Sequence, residues 1–282
     1  MIALRSSGIV VQPDSTRVLL RAFNPTNEQR SMKILARIMT LPPEKVASEL
    51  AHVLTQFERS HRFIKEFFLK RYEQVKSHLL TDASPSYEQK LLIGSYFTLE
   101  YALESTALFN PSMVWHPDQS GLPAGSRRFI LSLRATGEGH ISSITFRTGV
   151  LDAVSRLTLE TPTKFVTAPE LVVNSMYDLE LFERNLFEMG HSDEFTGLVL
   201  AGLNVQFTME ELKASIHVVE QQQHRKRDAA AILSYSNLLT LAKANYTAYY
   251  SEEVPLSERV LFPTSPTEIN GIEDARFVRL PS

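Results

Sequence analysis

Hydrophobic residues recur at helical spacing through much of the first hundred residues. After the prolines at 42 and 43, apolar side chains fall on one helical face at Val46, Leu50, Val53, Leu54 and Phe57. Proline is favoured in the first turn of a helix, and an apolar stripe at this spacing is typical of a helix packed on a core. The pattern therefore predicts a helix here, within an antiparallel helical unit.

Two further helices are predicted in the same region. Phe63, Phe67 and Val75 face one way in the next apolar segment, while lysine and arginine face the other. The segment SYEQKLLIGSYFTLEYALESTALF then opens with Ser86 and Gln89, the spacing of a capping box at a helix start. The region up to residue 107 is accordingly predicted to be a helical N-terminal region.

The pattern changes to short β-type runs from about residue 110. Two runs rich in β-branched and aromatic residues, 128–134 and 141–147, are separated by a loop that contains Gly137 and Gly139. Such a pair is a hairpin signal, and the following LTLETPTKFV continues in the same style. Residues 110–170 are therefore predicted to be β.

Helical periodicity then returns for about 70 residues. Apolar side chains line one face at Leu179, Phe182, Leu186 and Met189. Gly190 is placed to end that helix, and Thr208 with Glu211 has the spacing of another capping box. Strand signals resume only after Asn245. The fold class predicted is α+β, with β material in two parts separated by helices.

The composition mainly excludes certain kinds of site and partner. The 282 residues are 43% hydrophobic and 22% charged, with a net charge of −3 and no cysteine. These values predict an ordinary soluble, cytoplasmic protein without disulfides or thiolate metal sites, with no nucleic-acid partner and no membrane partner. The N-terminus lacks the apolar core of a signal peptide, and the single basic run, HRKR at 224–227, is interpreted as a solvated helix face.

The densest charged motif is EINGIEDARFVRLPS at 268–282, with Glu273 and Asp274 adjacent and Arg276 two residues later. In a strand, neighbouring side chains point to opposite faces, so the two carboxylates would not hold one atom together. Two interpretations stay open. The motif is either a strand end with a local ion pair, or a carboxylate that projects into a pocket with its ionisation set by neighbouring charge.

A second polar stretch follows residue 109. Its side chains able to bind polar ligands are Asn110, Trp115, His116, Asp118, Gln119, Arg134, Glu138 and His140. Polar groups and aromatic rings on loops between strands suit a sugar, because hydroxyls require paired donors and acceptors and the ring offers an apolar face. The alternative is a polar loop that caps a hairpin. His116 and Asp118 alone are too few ligands to predict a metal, and none is predicted.

Three stretches together resemble glycoside hydrolase family 130, the β-mannoside phosphorylases and β-mannosidases. They are FNPS at 109–112, LSLRATGEGHISSITFRTG at 131–149 and NGIEDARFV at 270–278. The resemblance implies a five-bladed β-propeller with the sugar in its central funnel. On that basis residues 1–107 are a helical N-terminal region, and residues 108–282 are part of a propeller, interrupted by a helical insertion at about 177–244. The chain is then expected to be an N-terminal fragment of a longer protein.

The resemblance also implies roles for individual residues. Asp274 matches the catalytic acid, although Ala275 replaces the proline usual in that motif. Substrate-binding positions are matched by Asn110, Arg134, Ser143, Glu273 and Arg276, with Ser142 competing for the match to Ser143. The reaction implied is inverting cleavage of a β-mannoside or oligosaccharide by phosphate or water. It needs no cofactor, although inorganic phosphate would be a co-substrate of a phosphorylase. The oligomeric state is left open, and a non-catalytic sugar-binding or interaction protein is the alternative.

Overall fold

A computed structural model describes residues 7–81, 83–173, 176–222 and 229–278 of the chain. In these ranges the fold is α+β, as the sequence predicts, with eight α-helices and four small antiparallel sheets. The residues group into two compact units. The larger unit contains Met1–Ala168, Glu252–Phe262 and Ile272–Ser282, and the smaller contains Pro169–Ser251 and Pro263–Gly271.

The α-helices of the described residues are α1 Glu28–Met39, α2 Pro43–Phe57, α3 Ile64–Val75, α4 Tyr87–Tyr96, α5 Leu179–Glu188, α6 Glu194–Ala201, α7 Met209–Gln222 and α8 Ala229–Ala244. The strands are β1 Val18–Ala22, β2 Thr98–Ala102, β3 Ala107–Trp115, β4 Arg127–Thr136, β5 Ser142–Leu151, β6 Leu157–Leu159, β7 Glu170–Val173, β8 Tyr177–Asp178, β9 Gln206–Phe207, β10 Tyr246–Tyr249 and β11 Val260–Leu261. Among these helices none has the length and apolar character required to cross a membrane.

Helix α2 of the larger unit packs through the apolar face that the sequence predicts. Val46 and Leu50 of α2 are buried, as is Leu92 of α4. The predicted capping box at the start of α4 is confirmed. Ser86 Oγ accepts the Gln89 N–H at 3.2 Å, and Gln89 Oε1 accepts the Ser86 N–H at 2.9 Å. Local side-chain chemistry thus fixes where α4 begins.

The prediction that Phe63 faces the core is wrong. Phe63 immediately precedes α3 in the left-handed backbone region, with φ 55°, and its side chain is 70% exposed. Phe68, five residues further, is fully buried and packs edge-on against Phe57, with ring centroids 5.4 Å apart. The buried face of α3 therefore differs from the predicted one, because the helix begins at Ile64 and Phe63 lies outside it.

The helix predicted from Ser86 is also shorter than its sequence suggests. It ends at Tyr96, and β2 begins at Thr98. In β2, side chains alternate, so that Tyr101 is buried while Glu100 points away from it. Pairing with β1 satisfies the backbone of β2, and this long-range partner is not visible in the local helical pattern.

The predicted hairpin is confirmed as the centre of a five-stranded sheet. Strands β3, β4 and β5 pair in succession, and the other edge of β5 is shared between β6 and β11. The register places Arg134 opposite Ile144 and Thr136 opposite Ser142. The other sheets of the described residues have two strands each, and no propeller is present among these residues.

The smaller unit is built on α5 to α8 around a cluster of buried apolar side chains that includes Phe182, Leu186 and Leu212. The predicted end of α5 is confirmed, since Gly190 follows the helix with φ 71°. Thr208 and Glu211 exchange the hydrogen bonds of the predicted capping box. The basic run at 224–227 lies outside the described residues.

The expected division of the chain into residues 1–107 and 108–282 stays a prediction. Helices α1 to α4 and the five-stranded sheet belong to the same compact unit, and the segment 177–244 belongs to the smaller one. Residues 272–278, which carry the acidic motif, belong to the larger unit together with the sheet.

Candidate functional site

The site begins at an irregularity in β3. The β3–β4 register is regular up to the pair of Phe109 with Arg134, and it is shifted when it resumes at Ser112. Asn110 and Pro111 occupy the break. Proline has no backbone N–H and cannot continue the ladder. Asn110 adopts a left-handed conformation with φ 52°, which asparagine tolerates better than most residues. The bulge directs the Asn110 side chain out of the strand pattern.

The acidic segment is fixed to the same sheet at both ends. The Ile272 N–H donates to the backbone oxygen of Ser142 at 2.9 Å. At the other end, the Phe277 N–H donates to Ser112 Oγ at 3.4 Å, and its ring packs edge-on against Phe146 with centroids 5.8 Å apart. The residues between these anchors are therefore held beside β3, β4 and β5.

Arg134 is the centre of the cluster. Its Nη2 donates to Glu273 Oε1 at 2.6 Å, and its Nη1 lies 3.6 Å from Asp274 Oδ1. Its Nε donates to Ser142 Oγ at 2.9 Å, and the guanidinium carbon lies 4.8 Å from the centroid of the Phe109 ring. One cation thus contacts both carboxylates, and three of its nitrogens have defined partners.

Asn110 and Arg276 complete the cluster. The Asn110 side-chain amide donates to Asp274 Oδ1, and Arg276 Nη1 donates to the Asn110 backbone oxygen at 3.3 Å. Asp274 Oδ2 has no partner among the described residues, and the Asp274 side chain is 57% exposed. The carboxylate of Asp274 is therefore asymmetric: one oxygen is held by the protein, and the other has no partner in the described ranges.

The segment is not a strand, and this changes the geometry expected for the two carboxylates. Asp274 has a left-handed backbone with φ 49°, so the alternation of side chains stops there. Glu273 and Asp274 consequently approach the same guanidinium, which strand alternation would prevent. The Asn-Gly sequence before the motif permits the turn into it, with Gly271 at φ 106°.

Of the residues matched by resemblance, the structure brings together Asn110, Arg134, Glu273, Asp274 and Arg276, and it does not bring Ser143 to them. Ser143 pairs with Ala135 in β5 and is fully buried, and its Oγ has no hydrogen-bond partner among the described residues.

Ser142, the competing match, lies on the Arg134 face of the sheet. The register of the β4–β5 hairpin is enough to place Ser142 there. It pairs Ser142 with Thr136, which lies on the same face as Arg134. Sequence reasoning did not use that register, and it also missed Phe109, which the register places directly opposite Arg134.

The polar residues at the other end of the β3–β4 hairpin form a separate turn. Gln119 Oε1 accepts the Arg128 N–H at 2.8 Å, and Arg128 Nη1 donates to Asp118 Oδ2 at 3.1 Å. The Asp118 N–H donates to His116 Nδ1 at 3.0 Å. These side chains satisfy one another, as the alternative of a polar loop capping a hairpin predicts. In the described ranges, no three histidine, aspartate or glutamate side chains gather as a metal ion would require.

Two cavities in the described residues lie elsewhere. One, of about 340 Å³, is apolar and is lined mainly by α1, residues 79–81 and Ala83. The other, of about 300 Å³, is lined by residues 202–204 and one side of α7. Neither includes a residue of the Arg134 cluster, in which the side chains of Glu273 and Asp274 are 54% and 57% exposed.

Comparisons of the chain with protein-family models, with curated proteins and with solved structures found no match. The function of the protein is therefore inferred from the geometry of the cluster and from the motifs that form it.

Proposed function

We propose that the protein cleaves β-mannosides with inversion and that Asp274 is the general acid. The observation that carries the proposal is the asymmetry of the Asp274 carboxylate. Asn110 holds Oδ1, while Oδ2 has no partner in the described part of the chain and the side chain is 57% exposed. A general acid must be fixed in orientation and must still reach the oxygen that it protonates. The Asp274 side chain meets both conditions.

The positions of the matched residues support the proposal. Asn110, Arg134 and Asp274 come from three distant stretches of sequence, and each of these stretches contributes to the resemblance to the β-mannoside enzymes. In the structure their side chains meet in one cluster. A chance resemblance of separate short motifs would not require them to meet.

We also propose that the five-stranded sheet is one blade of a five-bladed propeller. Its strands β3, β4 and β5 pair in chain order and are antiparallel, and β6 follows β5 on the next position. Four antiparallel strands paired in succession are the pattern of a propeller blade. The site lies where the acidic segment crosses this sheet, at the β3 bulge.

The charges around Asp274 suit the proposed role. Arg134 forms its shorter contact with Glu273, at 2.6 Å, and its longer one with Asp274, at 3.6 Å. Glu273 therefore offsets much of the guanidinium charge beside Asp274. In the proposed reaction Asp274 supplies the proton to the leaving oxygen, and phosphate or water attacks the anomeric carbon from the opposite face.

Replacement of Asp274 by asparagine tests its assignment as the general acid. The experiment uses the protein as its native source produces it. We expect Asp274→Asn to lower turnover of β-1,2- and β-1,4-mannosides by about 10² to 10⁴-fold, because the proton donor is lost. Product release would be measured with and without phosphate, as mannose 1-phosphate or mannose.

Asp118→Asn is the matched control. The Asp118 side chain is also 57% exposed and also pairs with an arginine, at 3.1 Å, but it lies in the separate turn. We expect this variant to retain native turnover. If native protein binds oligosaccharide saturably and forms no product at any phosphate concentration, the proposal fails and a non-catalytic sugar-binding protein is the better description.

A further inference from the structure

Ser142 and Ser143 are adjacent in β5, equally buried and oppositely directed. Both side chains are completely inaccessible to solvent. Ser142 pairs with Thr136 and Ser143 with Ala135, so their hydroxyls lie on opposite faces of the sheet. Ser142 Oγ accepts a hydrogen bond from Arg134 Nε at 2.9 Å, whereas Ser143 Oγ has no partner in the described part of the chain.

Ser142 contacts both halves of the cluster. Its hydroxyl holds the guanidinium of Arg134, and its backbone oxygen accepts the Ile272 N–H at 2.9 Å, directly before the two carboxylates. Thr136 Oγ1, 3.4 Å from Ser142 Oγ, is a second partner for that hydroxyl. The hydroxyl can accept from Arg134 and donate to Thr136 at the same time.

The bond to Nε determines how Arg134 presents its other nitrogens. A guanidinium is planar, so holding Nε limits rotation of the group about its stem. Nη2 then faces Glu273 and Nη1 faces Asp274. Side chains at a functional site keep their geometry only when such supporting hydrogen bonds fix their rotamers.

We propose that Ser142 is a positioning residue that sets the orientation of Arg134 relative to Glu273 and Asp274. Its contact with the cluster is structural. Its effect on turnover rests on the proposed function.

The orientation itself is tested without any substrate. The Nε–H signal of Arg134 is identified in a nitrogen–proton NMR spectrum by its disappearance in Arg134→Lys. We expect Ser142→Ala to increase the hydrogen-exchange rate of that Nε–H by about fivefold, since a net hydrogen bond is worth on the order of 1 kcal/mol. Ser143→Ala, which removes an equally buried hydroxyl from the next residue, is expected to leave the rate unchanged.

Equal exchange rates in native protein and Ser142→Ala would overturn the proposal, and so would equal increases in the two variants. If Ser142→Ala does not fold, Ser142→Cys replaces it, because its sulfur is a similarly placed but weaker acceptor. A faster exchange in Ser142→Cys than in native protein supports the proposal, and a native rate overturns it.

Steady-state kinetics test whether the orientation of Arg134 affects turnover. Ser142→Ala should lower kcat by roughly 10-fold or more with little change in KM, because a misplacement of about 1 Å can cost on the order of 10²-fold. A raised KM with native kcat in Ser142→Ala would mean that Ser142 affects binding only, and it would overturn the positioning role. Absence of turnover in native protein would overturn the proposed function alone, and the exchange rates would then decide the role of Ser142.

Discussion

The two faces of the β4–β5 hairpin both carry arginine–carboxylate pairs, in opposite surroundings. On one face Arg134 meets Glu273 and Asp274, whose side chains are 54% and 57% exposed. On the other face Arg147 donates to both oxygens of Glu104 at 2.9 Å each, and Glu104 is fully buried. The same pair of chemical groups therefore serves two purposes. In the exposed cluster one oxygen of Asp274 has no partner among the described residues, and the buried pair holds parts of the fold together.

The buried pair belongs to a network that joins distant parts of the larger unit. Arg17, also fully buried, donates to the backbone oxygens of Thr163 at 2.6 Å and Ser257 at 2.7 Å. Its Nε lies 3.1 Å from Glu104 Oε1, within ion-pair distance but without the angle of a hydrogen bond. Burial lowers the pKa of Arg17, and the Glu104 carboxylate opposes that shift. Buried charges are tolerated only when they are compensated, so Glu104 stabilises the folded larger unit.

The largest expected loss of stability follows from removing the negative charge of Glu104. Glu104→Gln keeps the size of the side chain but removes the carboxylate that pairs directly with the buried guanidinium groups of Arg17 and Arg147. We expect it to lower the free energy of unfolding by about 3 to 5 kcal/mol. Trp115, the single tryptophan, lies in β3 of the same sheet, so its fluorescence in denaturant titrations reports the loss.

The same substitution on the exposed face sharpens the comparison. Glu273→Gln breaks an ion pair that water screens, and we expect it to lower the free energy of unfolding by less than about 1 kcal/mol. If Glu104→Gln and Glu273→Gln lowered the free energy of unfolding by similar amounts, the difference in exposure would not explain how much each ion pair stabilises the protein.

Asp14, at the edge of the buried network, is expected to make a smaller contribution to stability. Asp14 accepts hydrogen bonds from the side chain and backbone of Thr16, at 2.6 and 2.9 Å, and its own N–H donates to Glu104 Oε2 at 3.3 Å. The Thr16 side-chain hydrogen bond lowers the pKa of Asp14 below its ordinary 3.8, with smaller contributions from the charges of Arg17 and Arg147.

Because its folded-state pKa is lowered, ionised Asp14 stabilises the protein above the unfolded-state pKa. This contribution is lost as the pH falls through the folded-state value. Unfolding free energies of native protein and Asp14→Asn should differ by a constant amount above about pH 5, and the difference should shrink below about pH 4. A difference that does not change with pH would mean that the Asp14 carboxylate adds no stability through its charge.

Local rules explain the elements that the sequence predicted well. The capping boxes at Ser86 and Thr208 and the glycine after α5 are decided within a few residues, and the structure has them where the sequence places them. The β4–β5 hairpin follows from two apolar runs and a glycine-containing loop. These signals need no knowledge of distant contacts.

Long-range contacts explain what the sequence did not show. Ser143, Thr145 and Arg147 form a polar face of β5 that would be expected to meet solvent, yet Arg17 and Glu104 cover it. At the candidate site, the motif residues were identified by resemblance, but their contacts depend on the left-handed backbone of Asp274. A strand rule applied to that motif gives the wrong directions for its side chains.

The proposed role of Asp274 is tested most directly by the first product formed from a β-mannoside, followed through its anomeric proton by NMR before mutarotation. Inverting cleavage predicts that the α-anomer accumulates first, as mannose 1-phosphate in phosphate buffer or as mannose without it. Initial formation of the β-anomer, or no product from folded native protein over the same period, would contradict the assignment of Asp274 as the acid of an inverting β-mannoside enzyme.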